Sequence, residues 1–507
     1  MRSPSMPPMI PCAAIEPVLP SRRAWDLHDQ QASRSTERIA LEAYPAHAVM
    51  SAAGFAVARL ACAIAPHARH IWVAAGPGNN GGDGLVAARA LHAAGRRVSV
   101  TWLGDPATAP ADALRAWRDA QLAGVQIDHT PPPATSFDLC IDALLGLGNS
   151  RPATGTMALS IEAINAQACP VLSIDLPSGL DCNTGQAWGG VAVRATHTLS
   201  LLSLKPGLFT GHGRDQSGQV WLCGLVDLPS AVPASAHLVG PASGVRRLHA
   251  QHKGSFGDVI VLGGAQGMVG AAWLAACAAL TAGAGRVYAS RFDASATQET
   301  SRPELMWRLA DELVRRQVMS TSTVVCGCGG GDALQALLPT VLHHAVRLVL
   351  DADALNSVAA DQTLRHTLQA RQGRGLATIL TPHPLEAARL LAISTADIQA
   401  DRLASARALS ELFSCTVLLK GSGTVIAAAD RLPAINPTGN ARLASPGSGD
   451  VLAGWLGGLW SQASDDTPFD LACAAAWQHG AAAEQGPIDQ PLRAADLIEH
   501  LASPAWR

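Results

Sequence analysis

The sequence predicts two α/β domains in tandem, each built around a largely parallel sheet. Short β-rich runs alternate with longer Ala-rich, helix-like segments, as at 70–76, 84–95 and 97–104, and the same alternation restarts after Lys253. Such alternation is typical of βαβ units, which place ligand-binding loops at the carboxyl ends of parallel strands. A length of 507 residues also exceeds what one hydrophobic core usually holds.

The boundary between the two domains is predicted from a stretch without sustained periodicity. Residues 227–251 are rich in Pro, Ser and Ala, which is typical of a linker or a domain crossing. The Pro-rich start, 1–24, is predicted to be a loose tail. We therefore expect an N-terminal domain over 25–227, a linker over 228–249 and a C-terminal domain over 250–507.

The composition narrows the class of function. Apolar residues make up 48% of the chain, which excludes a disordered protein, and charged residues make up only 15%. A formal net charge of -3 provides no overall basic surface of the kind that grips nucleic acid or an anionic membrane. We therefore expect a globular enzyme with small-molecule substrates and with no nucleic-acid or membrane partner.

The cysteine pattern and the start of the chain favour a cytoplasmic protein. The eleven cysteines are spread singly apart from Cys326 and Cys328, and no CxxC pair or zinc-ligand spacing occurs. Small buried thiols in a reducing compartment explain such a pattern. The start shows no apolar run of signal-peptide length. The uncharged stretch 259–285 is long enough to span a bilayer, but its β-type opening and Gly-rich break predict a strand, a loop and a buried helix.

A glycine-rich segment with polar side chains follows the first predicted strand. GPGNNGGDG, residues 76–84, precedes a predicted helix, where backbone N–H groups and the helix N-terminus receive an anion or a dinucleotide. Asn79, Asn80 and Asp83 add oxygen ligands, which favour a hard cation beside the phosphates. The alternative is an ordinary tight turn.

Two predicted strands of the first half end in an aspartate. Asp142 closes one strand, in DALLGLG, and Asp175 closes another, in DLPSGLD. Strand ends of this kind meet at the ligand-binding edge of a doubly wound sheet. Each aspartate alone is more often a turn former or a helix cap. The two together, in the same half as the Asn/Gly segment, favour carboxylates that transfer protons.

The second half carries a short glycine motif before a long apolar helix. GSGD, residues 447–450, allows close backbone approach, and the helix N-terminus can neutralise a phosphate or an oxyanion. Asp450 is either a residue that caps the helix or the base that deprotonates a hydroxyl as it attacks a phosphate. The motif is short, and its neighbourhood, INPTGNARLASPGSGD, is what favours the second interpretation.

Further polar residues of the second half lie at predicted strand ends. Lys420, in KGSGT, lies between two β-type runs, and its flanking glycines favour a nucleotide-contacting loop over a solvated strand end. His383, in TPHP, lies in a proline-fixed turn before a helix, where ligand contact is favoured over a capping role alone. Asp351 and Asp353, in LDADALN, either face substrate or a metal-bound water, or form a turn.

The motifs NNGGDG, DALLGLG, DLPSGL and KPGL together resemble the epimerase half of the bifunctional NAD(P)H-hydrate repair enzymes, over about residues 25–227. The resemblance implies a Rossmann-like domain that interconverts the R and S epimers of hydrated NADH or NADPH, with a bound potassium ion. It implies Asp175 as the catalytic carboxylate. The implied potassium ligands are Asn80, Asp142 and Ser178. The residues implied to line the substrate are Asn79, Asn80, Gly81, Gly82, Asp83, Gly146, Leu147, Gly148, Asn149, Ser150, Arg151, Pro152 and Asp175.

The second half resembles the dehydratase half of the same family, over about residues 250–500, because HKGSFG, GGAQGMVGAA, LDADALN, TPHP, LKGSGT, NPTGN and GSGD occur in this order. The resemblance implies a ribokinase-like fold that uses ADP, with Mg²⁺, to phosphorylate the ring hydroxyl and then releases phosphate. It implies Asp450 as the catalytic base. The implied contacts of the hydrated dinucleotide are Ala271, Gly331, His383 and Asp450. The implied contacts of the adenine nucleotide are Lys420, Gly421, Ser422, Gly423, Thr424 and Gly449.

The chain departs from the family pattern at three places. VMSAAG, residues 49–54, stands where the family usually has Leu-Met-Glu-Arg-Ala-Gly. Leu385 replaces the usual glycine of TPHPGE. The sequence ASPGSGD, which contains Ser445 and Pro446, stands where the family usually has ATGGSGD. Because Pro446 fixes φ and removes an N–H, we expect the site to be kept with a shifted nucleotide affinity.

Other functions fit parts of the sequence. The second half alone also fits a ribokinase-like small-molecule kinase whose product keeps the phosphate. The first half alone also fits a non-catalytic Rossmann-like binding scaffold, although Asn80, Asp142 and Asp175 favour an enzyme. The leading hypothesis is a bifunctional repair enzyme, and we expect it to act as a homo-oligomer.

Overall fold

Hydrophobic core clusters in each half of the chain organise the computed structural model. The structure describes residues 13–132, 137–148, 151–242, 247–292, 302–463 and 467–503. The chain divides into the units Met1–His237 and Leu238–Arg507. This division falls within 228–249, the stretch that the sequence predicts to be a linker.

The N-terminal unit alternates strands and helices. Its strands are β1 Ile15–Pro17, β2 Trp25–Leu27, β3 His70–Ala75, β4 Arg97–Trp102, β5 Gln126–Asp128, β6 Leu139–Ala143, β7 Val171–Ile174, β8 His197–Leu201, β9 Gln219–Cys223 and, at the division, β10 Ala236–Leu238. Its helices are α1 Gln30–Ala43, α2 Ala48–Ile64, α3 Asn79–Ala93, α4 Ala111–Leu122, α5 Thr156–Asn165 and α6 Gly213–Gln216, with short 3₁₀ turns at Trp188–Gly190 and Pro206–Leu208. Eight strands form one sheet in the order β1-β9-β8-β7-β6-β3-β4-β5.

The central strands of this sheet are buried on both faces. Every residue of β6 and β7 is buried, and β3 is buried from Ile71 onward. Near-continuous apolar strands of this kind are typical of a parallel sheet with helices on both faces. Because β3, β6, β7 and β8 run parallel, the loops that follow them meet at one edge of the sheet.

Part of the predicted N-terminal tail belongs to this sheet. Strand β1 pairs antiparallel with β9, with Ile15 opposite Cys223. It covers an edge whose N–H and C=O groups would otherwise be unpaired. The structure therefore differs from a loose tail over 1–24 at residues 15–17, because a three-residue strand between prolines is too short to show a periodic pattern.

The C-terminal unit repeats the architecture with a larger set of helices. Its strands are β11 Asp258–Leu262, β12 Arg286–Arg291, β13 Met306–Leu309, β14 Ser322–Cys326, β15 Arg347–Leu350, β16 Ala377–Leu380, β17 Thr416–Leu419, β18 Val425–Ala427 and β19 Ala434–Ile435. Its helices are α7 Val269–Ala282, α8 Ala310–Leu313, α9 Arg316–Met319, α10 Leu338–His344, α11 Ala352–Ala360, α12 Gln362–Gln369, α13 Pro384–Leu391, α14 Thr395–Ala400, α15 Arg402–Phe413, α16 Ser448–Gln462, α17 Pro468–Ala483 and α18 Ala494–Ala502, with 3₁₀ turns at Lys253–Phe256, Asp332–Leu334, Gln372–Arg374 and Ala441–Leu443. The strands of the unit lie in the order β13-β12-β11-β14-β15-β16-β17-β18-β19, parallel as far as β17 and antiparallel beyond it. Both units are therefore α/β, as predicted.

Helices α7 and α16 touch through glycines. A Cβ atom at Gly454 would lie 2.0 Å from the carbonyl oxygen of Ala275, and one at Gly458 would lie 2.5 Å from that of Ala279. The backbone of α16 therefore lies directly against the backbone of α7. This packing sets the position of the first turn of α16, which carries Asp450.

The uncharged stretch 259–285 is part of this core, as predicted. It forms strand β11 and helix α7, and Ala275, Ala276 and Ala279 of that helix are fully buried. In the ranges that the structure describes, no single helix is long and apolar enough to cross a membrane, and α1 and α2 reach that length only as a pair bent by 114°.

The close contact between α7 and α16 predicts the effect of adding one methyl group. Gly454→Ala is expected to lower the free energy of unfolding by about 1–3 kcal/mol, because the new Cβ overlaps the Ala275 carbonyl. Gly270→Ala in α7 is the matched control, since a Cβ there meets nothing within 4 Å. It is expected to raise stability by up to about 1 kcal/mol through helix propensity. Chemical denaturation measures both, and equal stability of the two variants would contradict the packing described.

Candidate active sites

The first turn of α3 lies directly on the end of the strand before it. The helix begins at Asn79, so Gly81 and Gly82 are buried helical residues. The sequence had instead predicted that they lie in the glycine-rich segment before the helix. A Cβ atom at Gly81 would lie 2.0 Å from the carbonyl oxygen of Gly76. Glycine is therefore required for packing at this position, and the packing places Asn79 and Asn80 at the edge of the sheet.

A cavity of about 430 Å³ opens beside this turn. The predicted residues that line it are Asn79, Asn80, Asp83, Gly146, Leu147, Gly148 and Asp175. Gly81, Gly82, Arg151 and Pro152 are not among its lining residues, and Asn149 and Ser150 lie outside the described residues. Arg34, Glu37 and Asp112 also line it. Sequence reasoning missed these three, because charges on amphipathic helices such as α1 and α4 look like ordinary surface residues.

Asp175 is held in the cavity wall by an unusual backbone and a buried lysine. Its φ of 67° lies in the left-handed region, which turns the side chain at the end of β7. Its Oδ1 atom accepts hydrogen bonds from the Lys205 Nζ atom and, at 3.2 Å, from the Leu201 N–H. Lys205 is 1% exposed and also donates to the carbonyl oxygens of Leu201 and Ser203, at 3.0 and 2.9 Å. In the sequence, Lys205 is the first residue of the KPGL motif, and the motif pattern assigned no role to this lysine.

In this cavity, more acidic than basic side chains surround the carboxyl group of Asp83. Burial, followed by the charges of Asp175, Glu37 and Asp112, raises the pKa of Asp83 well above its usual range. Burial and the charge of Asp175 also raise the pKa of Glu37. The cavity therefore combines an ion-paired carboxylate, Asp175, with a carboxyl group that keeps its proton to higher pH.

Below this edge of the sheet, Asp142 forms a compact network. It is fully buried, and its carboxylate accepts hydrogen bonds from the Ser173 hydroxyl at 2.8 Å and from the Ser178 N–H at 2.9 Å and hydroxyl at 2.5 Å. The Leu144 N–H donates to it at 3.2 Å. All these donors are neutral, and no lysine or arginine of the described residues forms an ion pair with Asp142. Burial raises the pKa of Asp142, although these hydrogen bonds oppose the shift.

Asn80 lies next to this network. A Cβ atom at Gly146 would be 3.4 Å from the Asn80 Cγ atom, and the adjacent Leu145 N–H donates to the Ser178 hydroxyl at 2.9 Å. The Asn80 Nδ2 atom is buried without a hydrogen-bond partner. The segment after β6 thus brings the carboxamide of Asn80 close to the Ser178 hydroxyl that binds Asp142.

In the C-terminal unit, a second lysine, which is partly buried, joins the ends of neighbouring strands. The Lys420 Nζ atom, after β17, donates to the Asp351 Oδ1 atom, after β15, at 2.7 Å. The Thr381 hydroxyl, after β16, donates to the same oxygen at 2.7 Å. A Cβ atom at Gly449 would be 3.4 Å from the Lys420 Nζ atom. The strand ends and the first turn of α16 therefore converge on this ammonium group.

Asp450 faces the same group of residues. Ligand atoms of Asp450, Asp351 and Cys328 lie within 4.8 Å of one another. Burial, with a contribution from the charge of Asp351, raises the pKa of Asp450 to about 6. Asp353 has a different place, because its Oδ2 atom accepts from the Gly331 N–H at 2.9 Å and so fixes the glycine loop after β14. In the sequence, Cys328 is distinctive only for its spacing from Cys326.

His383 caps a helix and keeps part of its ring accessible. Its Nδ1 atom caps α13 by accepting from the N–H groups of Leu385 and Glu386, at 3.1 and 3.3 Å. Its Nε2 atom lies 3.2 Å from Glu386 and the side chain stays about half exposed, so it can also meet a ligand. Burial and the charge of Lys420 lower the pKa of His383. Burial raises the pKa of Glu386 to about 7.

The loop 420–424 is supported from below by an arginine. Arg402 is 1% exposed and donates to the carbonyl oxygens of Leu419 and Lys420, both at 3.2 Å. A Cβ atom at Gly421, whose φ is 142°, would lie 2.8 Å from this guanidinium group. Glycine is therefore needed for the loop to lie on Arg402, a residue that sequence reasoning missed because it resembles any helical arginine.

The remaining predicted contacts lie in two touching loops. A Cβ atom at Gly329 would be 2.9 Å from the Cβ atom of Ala271, at the start of α7. Gly331, with a φ of 51°, caps the 3₁₀ turn that follows. The structure thus brings the loops after β11 and β14 together, and β14 is the neighbour of β15, the strand that leads into Asp351.

Both halves of the chain match known families. A family model described as NAD(P)H-hydrate dehydratase matches residues 259–502, and one described as YjeF-related protein N-terminus matches residues 46–207. The bifunctional NAD(P)H-hydrate repair enzyme of Leishmania braziliensis is 37% identical to the chain, with 94% of the chain and 92% of that relative aligned. The enzyme of that name from Escherichia coli (strain K12) is 37% identical, with 86% and 84% aligned.

A solved structure of related sequence is the ADP/ATP-dependent NAD(P)H-hydrate dehydratase from Bacillus subtilis, co-crystallised with ATP and Mg²⁺. It is 27% identical and covers 52% of this chain and 92% of its own, with a TM-score of 0.42. These two alignments extend over most of the chain and most of each relative, so they include parts of both units. The chain therefore belongs to the family of bifunctional NAD(P)H-hydrate repair enzymes.

Proposed function

We propose that the chain repairs hydrated NADH and NADPH. Its N-terminal unit interconverts the R and S epimers, and its C-terminal unit dehydrates the S form with ADP, which yields the reduced dinucleotide, AMP and phosphate. The observation that carries this proposal is that each half matches its own family and gathers its motif residues at the carboxyl edge of its own sheet. The net charge of -3 supports small-molecule substrates, and we further propose a homo-oligomer in the cytoplasm.

In the N-terminal unit, Asp83 and Asp175 are proposed to act as a proton donor and a proton acceptor. Epimerisation at a hydroxyl-bearing carbon needs a proton for the departing hydroxyl oxygen and a base for the returning water. The raised pKa of Asp83 suits the carboxyl group that donates. Asp175, fixed by Lys205, suits the carboxylate that accepts. Two carboxyl groups in different environments can thus hold opposite roles.

The potassium ion that the family resemblance implies fits the Asp142 network. A buried carboxylate without a cationic side chain, a hydroxyl group and the carboxamide oxygen of the nearby Asn80 side chain form an all-oxygen donor set of the kind that hard cations prefer. Asn80, Asp142 and Ser178 would hold the ion. When bound, it would balance the charge of Asp142 and attract oxygen atoms of the substrate.

In the C-terminal unit, Asp450 is proposed to take the proton from the ring hydroxyl as this oxygen attacks the terminal phosphate of ADP. Lys420 and the N-terminus of α16 suit the negative charge that develops on the phosphate oxygens. The loop 420–424 and Gly449 are proposed to contact the nucleotide, and Ala271, Gly331 and His383 the hydrated dinucleotide. The carboxylates of Asp351 and Asp450 suit the Mg²⁺ ion that accompanies the nucleotide, which would shield its phosphate charge.

The proposal predicts separate losses for the two reactions. With ADP and a mixture of both epimers, the protein is expected to restore the absorbance of the reduced nicotinamide completely. Asp450→Asn is expected to lower dehydration about 10²–10⁴-fold and to leave epimerisation unchanged. The exposed Asp311→Asn is the control. A phosphorylated dinucleotide as the final product would instead identify a kinase, and recovery with neither ADP nor ATP would exclude repair.

The two units should respond to pH in opposite directions. Asp450 must be ionised to act as a base, so the dehydration rate is expected to rise as pH passes its pKa of about 6. Asp83 must be protonated to act as an acid, so the epimerisation rate is expected to fall as pH rises through its elevated pKa. Rate profiles measured separately for each reaction test this, and parallel profiles would contradict the assignment.

Asp83→Asn tests the state of that carboxyl group without reference to activity. Because the pKa is raised in the folded protein, ionisation of Asp83 destabilises the folded state above its unfolded pKa of about 3.9. The variant is therefore expected to unfold at higher denaturant concentration than the parent at pH 8, with a difference that disappears below about pH 4. The exposed Asp128→Asn should show no such change. A variant less stable than the parent at pH 8 would show that Asp83 is not held protonated.

Removal of potassium tests the ion site. Exchange of potassium for tetramethylammonium is expected to slow epimerisation and to leave dehydration unaffected, because the proposed ligands belong to the N-terminal unit. Asp142→Asn, which removes the buried charge, is expected to abolish the potassium dependence. An epimerisation rate that is the same in both salts would rule out the site.

A further inference from the structure

Two cysteine side chains face each other in the N-terminal unit, away from the residues that line the cavity. The Sγ atoms of Cys140 and Cys169 lie 3.6 Å apart. Cys140 is in strand β6, and Cys169 lies in the connection between α5 and β7. The Cys140 N–H donates to the Pro170 carbonyl at 3.0 Å, so main-chain hydrogen bonding holds the two segments together beside the thiols.

The geometry permits a covalent bond with little movement. A disulfide has an S–S length of about 2.05 Å, so the two sulfur atoms need to approach by about 1.5 Å from their separation of 3.6 Å. Cys169 lies outside any strand or helix, and its side chain can turn without the loss of a strand hydrogen bond. Cys140 is fully buried, whereas Cys169 is partly exposed and can be reached by a small solute.

We propose that Cys140 and Cys169 form a redox-active dithiol that a hydroperoxide oxidises to a reversible disulfide. The Cys169 sulfur attacks the peroxide oxygen, which forms a sulfenic acid and releases one molecule of water from hydrogen peroxide. The Cys140 sulfur then attacks the Cys169 sulfur, and the departing hydroxide takes the Cys140 proton as a second water. Two thiols lose two electrons to one peroxide, and a small dithiol returns them.

The position of the pair connects it to the fold of the unit. A Cys140–Cys169 bond would tie β6 to the segment that leads into β7, two strands that are neighbours in the sheet. It would close a loop of about 30 residues, which restricts the unfolded chain and so stabilises the unit against unfolding.

Mass spectrometry of the full-length protein tests the proposal. The native protein is treated with hydrogen peroxide, quenched in acid, alkylated with N-ethylmaleimide and digested. The expected result is a cross-linked peptide pair that contains Cys140 and Cys169, with a mass about 2 Da below the sum of its two free-thiol peptides, together with the loss of two alkylatable thiols and full reversal by dithiothreitol.

Variants separate this reaction from general oxidation. In Cys140→Ala, Cys169 is expected to form a sulfenic acid that dimedone traps, with no cross-link. Cys62→Ser, which removes a cysteine of similar partial exposure, is expected to keep the cross-link. The proposal would be overturned if Cys169 in the parent were oxidised to sulfinic acid without a cross-link, if other cysteine pairs formed instead, or if neither thiol reacted. These readouts do not depend on either enzymatic activity.

Discussion

The close approach of helix backbones, which only glycine permits, determines where both candidate sites lie. In the N-terminal unit, Gly81 lets α3 begin on the backbone at Gly76, and in the C-terminal unit Gly454 lets α16 lie on α7 at Ala275. A parallel sheet brings the carboxyl ends of its strands to one edge, but only tightly packed helices bring their first turns within reach of those ends. The charged groups of each site depend on that contact, because they come from strand ends and helix starts together.

A common electrostatic arrangement appears at both edges. Lys205 is buried and Lys420 is partly buried, and each forms an ion pair with an aspartate at the end of a parallel strand. Near each pair lies a second carboxyl group, Asp83 or Asp450, whose pKa is raised chiefly by burial. In a region with little water, one carboxylate is compensated by the ammonium and the other retains its proton to higher pH. Each unit therefore has two carboxyl groups with different proton affinities, one that is ion-paired with a lysine and one whose pKa is raised.

Candidate residues could be identified from the sequence where they belong to a local motif, but not where their role depends on a distant segment of the chain. Asp142, Asp175 and Asp450 could be named as candidates because each lies at a strand end or a helix start within a recognisable motif. Arg402 could not, because its role depends on the loop that lies on it, and that loop is close only in the folded chain. The strand Ile15–Pro17 was missed because three residues carry no periodicity, and its place depends on the free edge of another strand.

The sequence by itself determined the α/β class, the two units and the order of the motifs, because hydrophobic periodicity and glycine-rich loops are local properties of the chain. Tertiary structure alone decided which charges meet, since Lys205 reaches Asp175 across 30 residues and Lys420 reaches Asp351 across 69. It also decided that the segment read as a phosphate-binding loop is largely the first turn of α3. Ion pairing, burial and the resulting pKa shifts depend on distances in space, and a sequence records distances only along the chain.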